Sequence, residues 1–341
     1  MASGLLSELA EAEGTPSRPR PRLALVERRR PVLRPSQQPE VWGIDLTAGC
    51  GLACPFCQIR ALPSFPPEDR VLFDPRVGAR LAVELDSLDE APRLVVLSPA
   101  SDPLLPSREV REATWEVLRL LLSRGIDILL MTRGRIPKGL IALLAEWPER
   151  VRVAVGMMTL DPALGRLLEG RAAPPRARLR GLARLVEAGV RVEVRLEPLI
   201  AGLTDSRENL QPLFAALAEA GARRIVAHYL FLNPAINEGL EGPLGPLGWG
   251  ERLADAYQGG PVFRLGSLGV TKHLPLEARQ EGLARLVAWG AEHGLVVATG
   301  ATQNPDLPRL AGAGTPSETE EGGWGLKRFS FQGASPSGTR S

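Results

Sequence analysis

From residue 41 to residue 232 the chain alternates between two hydrophobic periods. Runs of aliphatic and β-branched residues fall at 41–46, 93–97, 127–132, 151–155, 190–196 and 224–232. Each has the length of a strand, and their near-continuous apolar character is that of strands covered on both faces. Segments with the helical period lie between them, at 108–124, 138–146, 176–188 and 209–220. Gly125, Gly189 and Gly221 close three of these segments, where a left-handed C-terminal residue is favoured. Such strand–helix alternation predicts an α/β fold with a parallel sheet covered by helices. About six units spaced by roughly thirty residues fit a TIM-type barrel, complete or partial. In that architecture the loops after the strands form the active face.

The polar, structure-breaking segments fall on that one rim. The loop holding Cys50, Cys54 and Cys57 follows the first predicted strand, and 98–106 follows the second. Residues 132–134 follow the third, 156–161 the fourth and 197–205 the fifth. Outside the barrel, residues 1–40 interleave arginine with proline and read as a solvated or lightly packed arm. Residues 233–312 read as a smaller C-terminal extension, with a helix at 276–293 and a strand at 295–299. Residues 313–341 are rich in Gly, Ser, Thr and Pro and read as a disordered tail.

Composition narrows the class. Hydrophobic content of 44% and charged content of 23% belong to an ordinary soluble domain. A net charge of +2 makes no global demand for nucleic acid, although the arginine-rich arm could touch phosphates. The first residues lack the basic-then-apolar pattern of a secretory signal. No uncharged apolar run reaches the ~18–20 residues that a membrane helix needs. Three cysteines within eight residues, with none elsewhere, argue for a reducing compartment, hence the cytoplasm.

Those cysteines carry the strongest chemical signal. Thiolates bind soft metals, and three on one short loop can serve one centre. Gly49 and Gly51 let the backbone turn around the first, and Pro55 stiffens the turn between the other two. Structural zinc would need a fourth ligand from His228, His273 or His293. Incidental core cysteines would rarely gather on a polar loop. An iron–sulfur cluster with one iron left open uses the three as they stand.

Cys-x-x-x-Cys-x-x-Cys with Phe56 before the last cysteine, on the loop after a first barrel strand, resembles the signature of radical S-adenosylmethionine (SAM) enzymes. Segments 97–103, 131–133, 159–161 and 197–205 resemble the spore photoproduct lyase-like branch, also described as DNA repair photolyase-like. The resemblance implies a partial (β/α)6 barrel over 41–232, holding a [4Fe–4S] cluster on Cys50, Cys54 and Cys57. It implies reductive cleavage of SAM to a 5′-deoxyadenosyl radical that abstracts hydrogen from a substrate, nucleic acid being the favoured class. A flavodoxin- or ferredoxin-type donor would supply the electron. The resemblance places Phe56 by the adenine and Ser98, Ser101 and Asp102 by the methionyl amino group. It places Arg133 at the methionyl carboxylate, Thr159 by the ribose and Leu199 and Ile200 against the adenine ring. The alternative function is a non-catalytic iron–sulfur or zinc-binding interaction module.

The pattern also departs from that branch. Spore photoproduct lyase uses a cysteine near the second-strand loop as a hydrogen donor, where this chain has Pro99. Its aromatic between the cluster cysteines is tyrosine, where this chain has Phe56. Further clusters would need further thiolates, so one cluster is the limit. On the substrate side, Glu193, Arg195 and Glu197 share one strand face, as ligand contacts or as a structural ion pair. His228, Tyr229, Asn233, Asn237 and Glu238 follow on or after the sixth predicted strand.

Overall fold

The computed structural model describes residues 21–27, 30–36, 40–67, 70–299, 304 and 306–307. Residues 1–20 of the arm and all of the 313–341 tail lie outside these.

Seven parallel strands pair in sequence order: β1 (Val41–Ile44), β2 (Leu94–Leu97), β3 (Asp127–Thr132), β4 (Val151–Gly156), β5 (Arg191–Leu199), β6 (Arg224–Tyr229) and β7 (Val296–Thr299). An antiparallel edge strand, Leu33–Pro35, completes the eight-stranded sheet beside β1. The helices are α1 (Val77–Asp86), α2 (Arg108–Ser123), α3 (Lys138–Ala145), α4 (Pro162–Glu169), α5 (Pro175–Glu187), α6 (Arg207–Glu219), α7 (Pro234–Leu244), α8 (Trp249–Ala256) and α9 (Leu276–Ala291). The architecture is an α/β partial barrel. Gly125, Gly189 and Gly221 adopt φ of 73°, 76° and 83°, as the sequence anticipated for helix ends.

The two sheet faces differ because the strand period is two. Val95, Leu97, Ile128, Leu130, Val153, Val155, Val194, Leu196 and Ile225 pack outward on Leu118, Leu121, Leu144, Leu182 and Leu213 of the helices. The inward residues divide. Val41, Leu94, Val96, Leu129 and Ala154 form a small apolar patch with Met131 against it. Continuing in register across β4, β5 and β6, the inward positions become Arg152, Glu193, Arg195, Glu197, Arg224 and His228.

Part of the arm is ordered rather than solvated. Arg22–Leu25 pairs in parallel with Arg70–Phe73, which pairs in turn with Thr47–Ala48. The reason is local: aliphatic residues at 23, 25, 32 and 33 interrupt the Pro/Arg pattern and bring strand-forming surface. In the extension, the helix and strand anticipated at 276–293 and 295–299 are α9 and β7. The periodicity reading did not isolate α1, α4, α7 and α8. α4 and α8 are short, at 8 residues each, and α7 holds Pro243 within it.

Candidate functional site

The cysteine loop leaves the C-terminal side of β1 and is clamped from two directions. Arg171 donates from its backbone N to Leu52 O at 2.7 Å and from Nε to Gly51 O at 2.9 Å. Gly170, at φ 57°, lets this segment approach, since a Cβ there would stand 2.5 Å from Leu52 O. From the other side, a Cβ at Gly239 of α7 would stand 2.2 Å from Pro55 O. Left-handed backbone at non-glycine positions occurs only at Ala53 (φ 52°) and Ser98 (φ 60°) among the described residues, both on this rim. Such conformations cost about 1–3 kcal/mol and persist where surrounding structure enforces them.

All three cysteines are reduced. Cys54 is buried, and its Sγ donates to the Glu169 carbonyl at 3.4 Å. Burial pushes the Cys54 thiol up to about 12, while Arg133 and Arg178 pull against it. Burial, then Asp102 and the other two cysteines, raise Cys50. Burial also raises Cys57, against the backbone N–H of Ile59. The thiols are therefore close enough to penalise each other's ionisation. Such a set is protonated without metal and releases protons on binding one.

The histidines do not complete a zinc site. His228 Nδ1 lies 2.8 Å from Glu197 Oε2. His273 stacks on Phe231 and pairs with Thr271, and His293 pairs with Gln211 at 2.7 Å. Among the described residues, no three His, Cys, Asp or Glu side chains are gathered for a single ion. A cubic cluster asks each thiolate for a different iron, so its ligands need not converge on one point. Three free thiols on one loop are the donor type that such a group takes.

The other sequence-derived residues separate into two sets. Ser98 and Ser101 hold buried hydroxyls without a hydrogen-bond partner among the described residues. Phe56 is buried, and the Arg133 guanidinium lies 5.1 Å from its ring centre. These three remain available for a ligand at the rim. Asp102 does not. Its carboxylate accepts from Leu104 N at 2.8 Å, Arg133 N at 2.7 Å and Thr132 Oγ1 at 2.9 and 3.1 Å. Three donors, the Thr132 hydroxyl being shared between its two oxygens, tie the β2 loop to the β3 loop through it. Burial still raises its pKa, against those hydrogen bonds.

Arg133 is also engaged. It donates to Glu169 Oε1 at 2.5 Å and to the Glu197 carbonyl. Thr159 is buried and accepts from Asp161 N at 2.9 Å, closing the turn before α4. Leu199 and Ile200 are 0% exposed and belong to the core, so they present no open wall to an adenine. Both lie in a run whose apolar character serves packing.

Glu169 and Arg178 were invisible to sequence reasoning. Glu169, at the end of α4, accepts from Arg178 Nη1 at 2.7 Å and again from Arg178 Nη2, besides Arg133. Both side chains are buried, at 2% and 0% exposure. On a helix an isolated Glu or Arg reads as solvated, and only the fold brings these two beneath Cys54. At the far side of the mouth, Arg195 grips Glu197 through Nε at 2.9 Å and Nη2 at 2.8 Å. Burial alone would raise the Glu197 carboxyl, but Arg195 and His228 outweigh it and hold it below the usual range.

A parallel partial barrel with a three-cysteine loop at its C-terminal rim defines the class of fold and site. The radical SAM superfamily pattern matches residues 44–211. The chain belongs to the radical SAM superfamily. It is 27% identical over 209 residues to the uncharacterized protein ORF301 of Acidianus two-tailed virus, covering 55% of this chain and 67% of that one. It is 28% identical over 194 residues to the uncharacterized protein Rv2578c of Mycobacterium tuberculosis, covering 54% of this chain and 57% of that one. The matched stretch thus spans little more than half of the mycobacterial relative. Among solved structures, a spore photoproduct lyase mutant with bound AdoMet and dinucleoside spore photoproduct superposes with a TM-score of 0.58 at 15% identity. That match covers 81% of each chain. At such identity the likeness is one of fold.

Proposed function

We propose that this chain binds one [4Fe–4S] cluster through Cys50, Cys54 and Cys57, and cleaves SAM reductively to start hydrogen abstraction from a substrate. The observation that carries this reading is the set of three reduced, mutually interacting thiols on the β1 loop, with each histidine engaged elsewhere. When bound, the cluster supplies an electron through its open iron and SAM supplies the carbon–sulfur bond which that electron breaks.

The chain's own residues would do the holding. Ser98 and Ser101 would meet the polar end of the methionyl group with hydroxyls that have no partner among the described residues. Phe56 would lie by the adenine. Arg133 would meet the methionyl carboxylate, exchanging part of its contact with Glu169 for it. Asp102 would position both loops without touching the cofactor. The clamps at Gly170 and Gly239 would keep the cysteine loop in place and help to exclude water.

Nucleic acid is the substrate class we favour, from the spore photoproduct lyase-like segments and the arginine-rich arm, with a flavodoxin- or ferredoxin-type electron donor. Repair of the spore lesion itself is not proposed, because Pro99 and Phe56 stand at the positions of that enzyme's cysteine and tyrosine. No described helix is long and apolar enough to cross a membrane. Anaerobic reconstitution with iron and sulfide tests the reading. A broad visible absorption bleached by dithionite, with 5′-deoxyadenosine formed from added SAM, supports it. Stoichiometric zinc without SAM turnover overturns it.

A further inference from the structure

At the opposite end of the strands, the barrel floor is built from arginines on neighbouring strands. Arg152 of β4 and Arg191 of β5 are register partners, so their side chains leave the sheet on the same inward face. Arg224 of β6 joins them, donating from Nε to Glu193 Oε2 at 3.1 Å. Like charges paired directly across strands oppose folding unless something neutralises them.

Among the described residues, the carboxylates facing this group are Glu193 and Asp127. Glu193 divides itself between Arg224 and Arg195, the latter at 3.4 Å. Asp127 accepts from Arg150 at 3.2 Å. Arg191 donates to the Glu149 carbonyl among its contacts, so the unpaired member of the group is Arg152. Arg152 is half-buried and makes no hydrogen bond or ion pair among the described residues. Burial, Arg191 and Arg224 together disfavour its charge more than Glu193 supports it. A guanidinium does not release its proton in a protein, so relief has to come from an added anion.

We propose that the barrel floor binds a phosphate group between Arg152, Arg191 and Arg224. Guanidinium forks match phosphate oxygens in pairs, and Arg224, 36% exposed, leaves the group open to solvent. Free phosphate and a phosphate monoester share this chemistry. The site stands at the other end of the strands from the cysteines and does not rest on the proposed function.

Calorimetric titration of the full chain at low ionic strength tests this, with inorganic phosphate, AMP and adenosine as probes. Phosphate binds saturably and adenosine does not. AMP matching or trailing phosphate assigns the free anion, and AMP binding more tightly assigns a nucleotide. Arg152→Leu weakens phosphate by about tenfold or more, the scale of one charge-assisted hydrogen bond. Without phosphate, Arg152→Leu melts no lower than the parent chain, and it loses the rise in Tm that phosphate gives the parent. Arg224→Gln, at the more exposed position, weakens phosphate in the same sense and serves if the leucine variant does not fold. Absence of saturable binding, or unchanged phosphate affinity in the folded variants, overturns the proposal.

Discussion

The two ends of the barrel use the same residue types at different depths and with different pairing. At the mouth, buried charges are held by direct ion pairs: Arg133 and Arg178 around Glu169, and Arg195 with His228 around Glu197. At the floor, Arg152 has no ion pair among the described residues and stands beside Arg191 and Arg224. A closed buried set is a scaffold, because each member is desolvated and held by the others. An open set stores unmet interaction and is suited to taking up a ligand. The cysteines belong to the first kind of surroundings, where rigid neighbours hold soft ligands in place.

The largest expected effect follows from the ligand assignment. Cys54→Ala removes cluster retention and SAM cleavage altogether while far-UV circular dichroism stays that of the parent chain. Iron analysis and 5′-deoxyadenosine measurement after anaerobic reconstitution check this, and full turnover by the variant would refute the assignment. Next is Glu169→Gln, which leaves two buried guanidiniums without their counter-charge. Breaking a buried pair by removing one partner costs about 3–5 kcal/mol, and urea unfolding of the apo-protein measures it. A loss below about 1 kcal/mol, the scale of an exposed pair, would mean that the mouth is no more closed than the floor.

A subtler test moves no charge. Gly239→Ala places a methyl carbon 2.2 Å from Pro55 O, so α7 must shift away from the cysteine loop. Overpacking of this kind costs about 1–3 kcal/mol and should lower iron occupancy with it. Gly242, in the same helix, meets nothing within 4 Å, so Gly242→Ala is neutral or stabilising by up to about 1 kcal/mol. Equal effects at the two positions would show that the clamp does not act on the loop.

Much of this arrangement was legible in the chain, for reasons that differ by residue. The six barrel strands and four of their helices announce themselves by period, and Cys50, Cys54 and Cys57 by spacing. What stayed hidden depends on direction. Asp102 in a Ser/Pro loop could serve a ligand or its own loop, and only the fold reveals that Thr132 and Arg133 donate to it. Leu199 and Ile200 carry the same apolar signal whether they line a pocket or fill a core. Glu169 and Arg178 are nine residues apart on different helices, and no local pattern links them. For Glu193, Arg195 and Glu197, strand alternation gave the shared face, and the structure shows the ion-pair outcome.

The last prediction concerns slope rather than loss. Arg195 and His228 hold the Glu197 carboxyl below its usual range in the folded chain. The unfolded chain binds that proton more readily, near the ordinary glutamate value of ~4.3. Stability from this group is therefore complete above that pH and is lost as pH falls toward the folded-state value. Glu197→Gln cannot take part in this titration and resembles the protonated state at every pH. Its deficit against the parent chain should be full at neutral pH and narrow as the acid range is entered, in urea midpoints of apo-protein. A deficit that stays constant down the acid range would mean that Glu197 is not held by Arg195 and His228, and one of the closed sets at the mouth would be open after all.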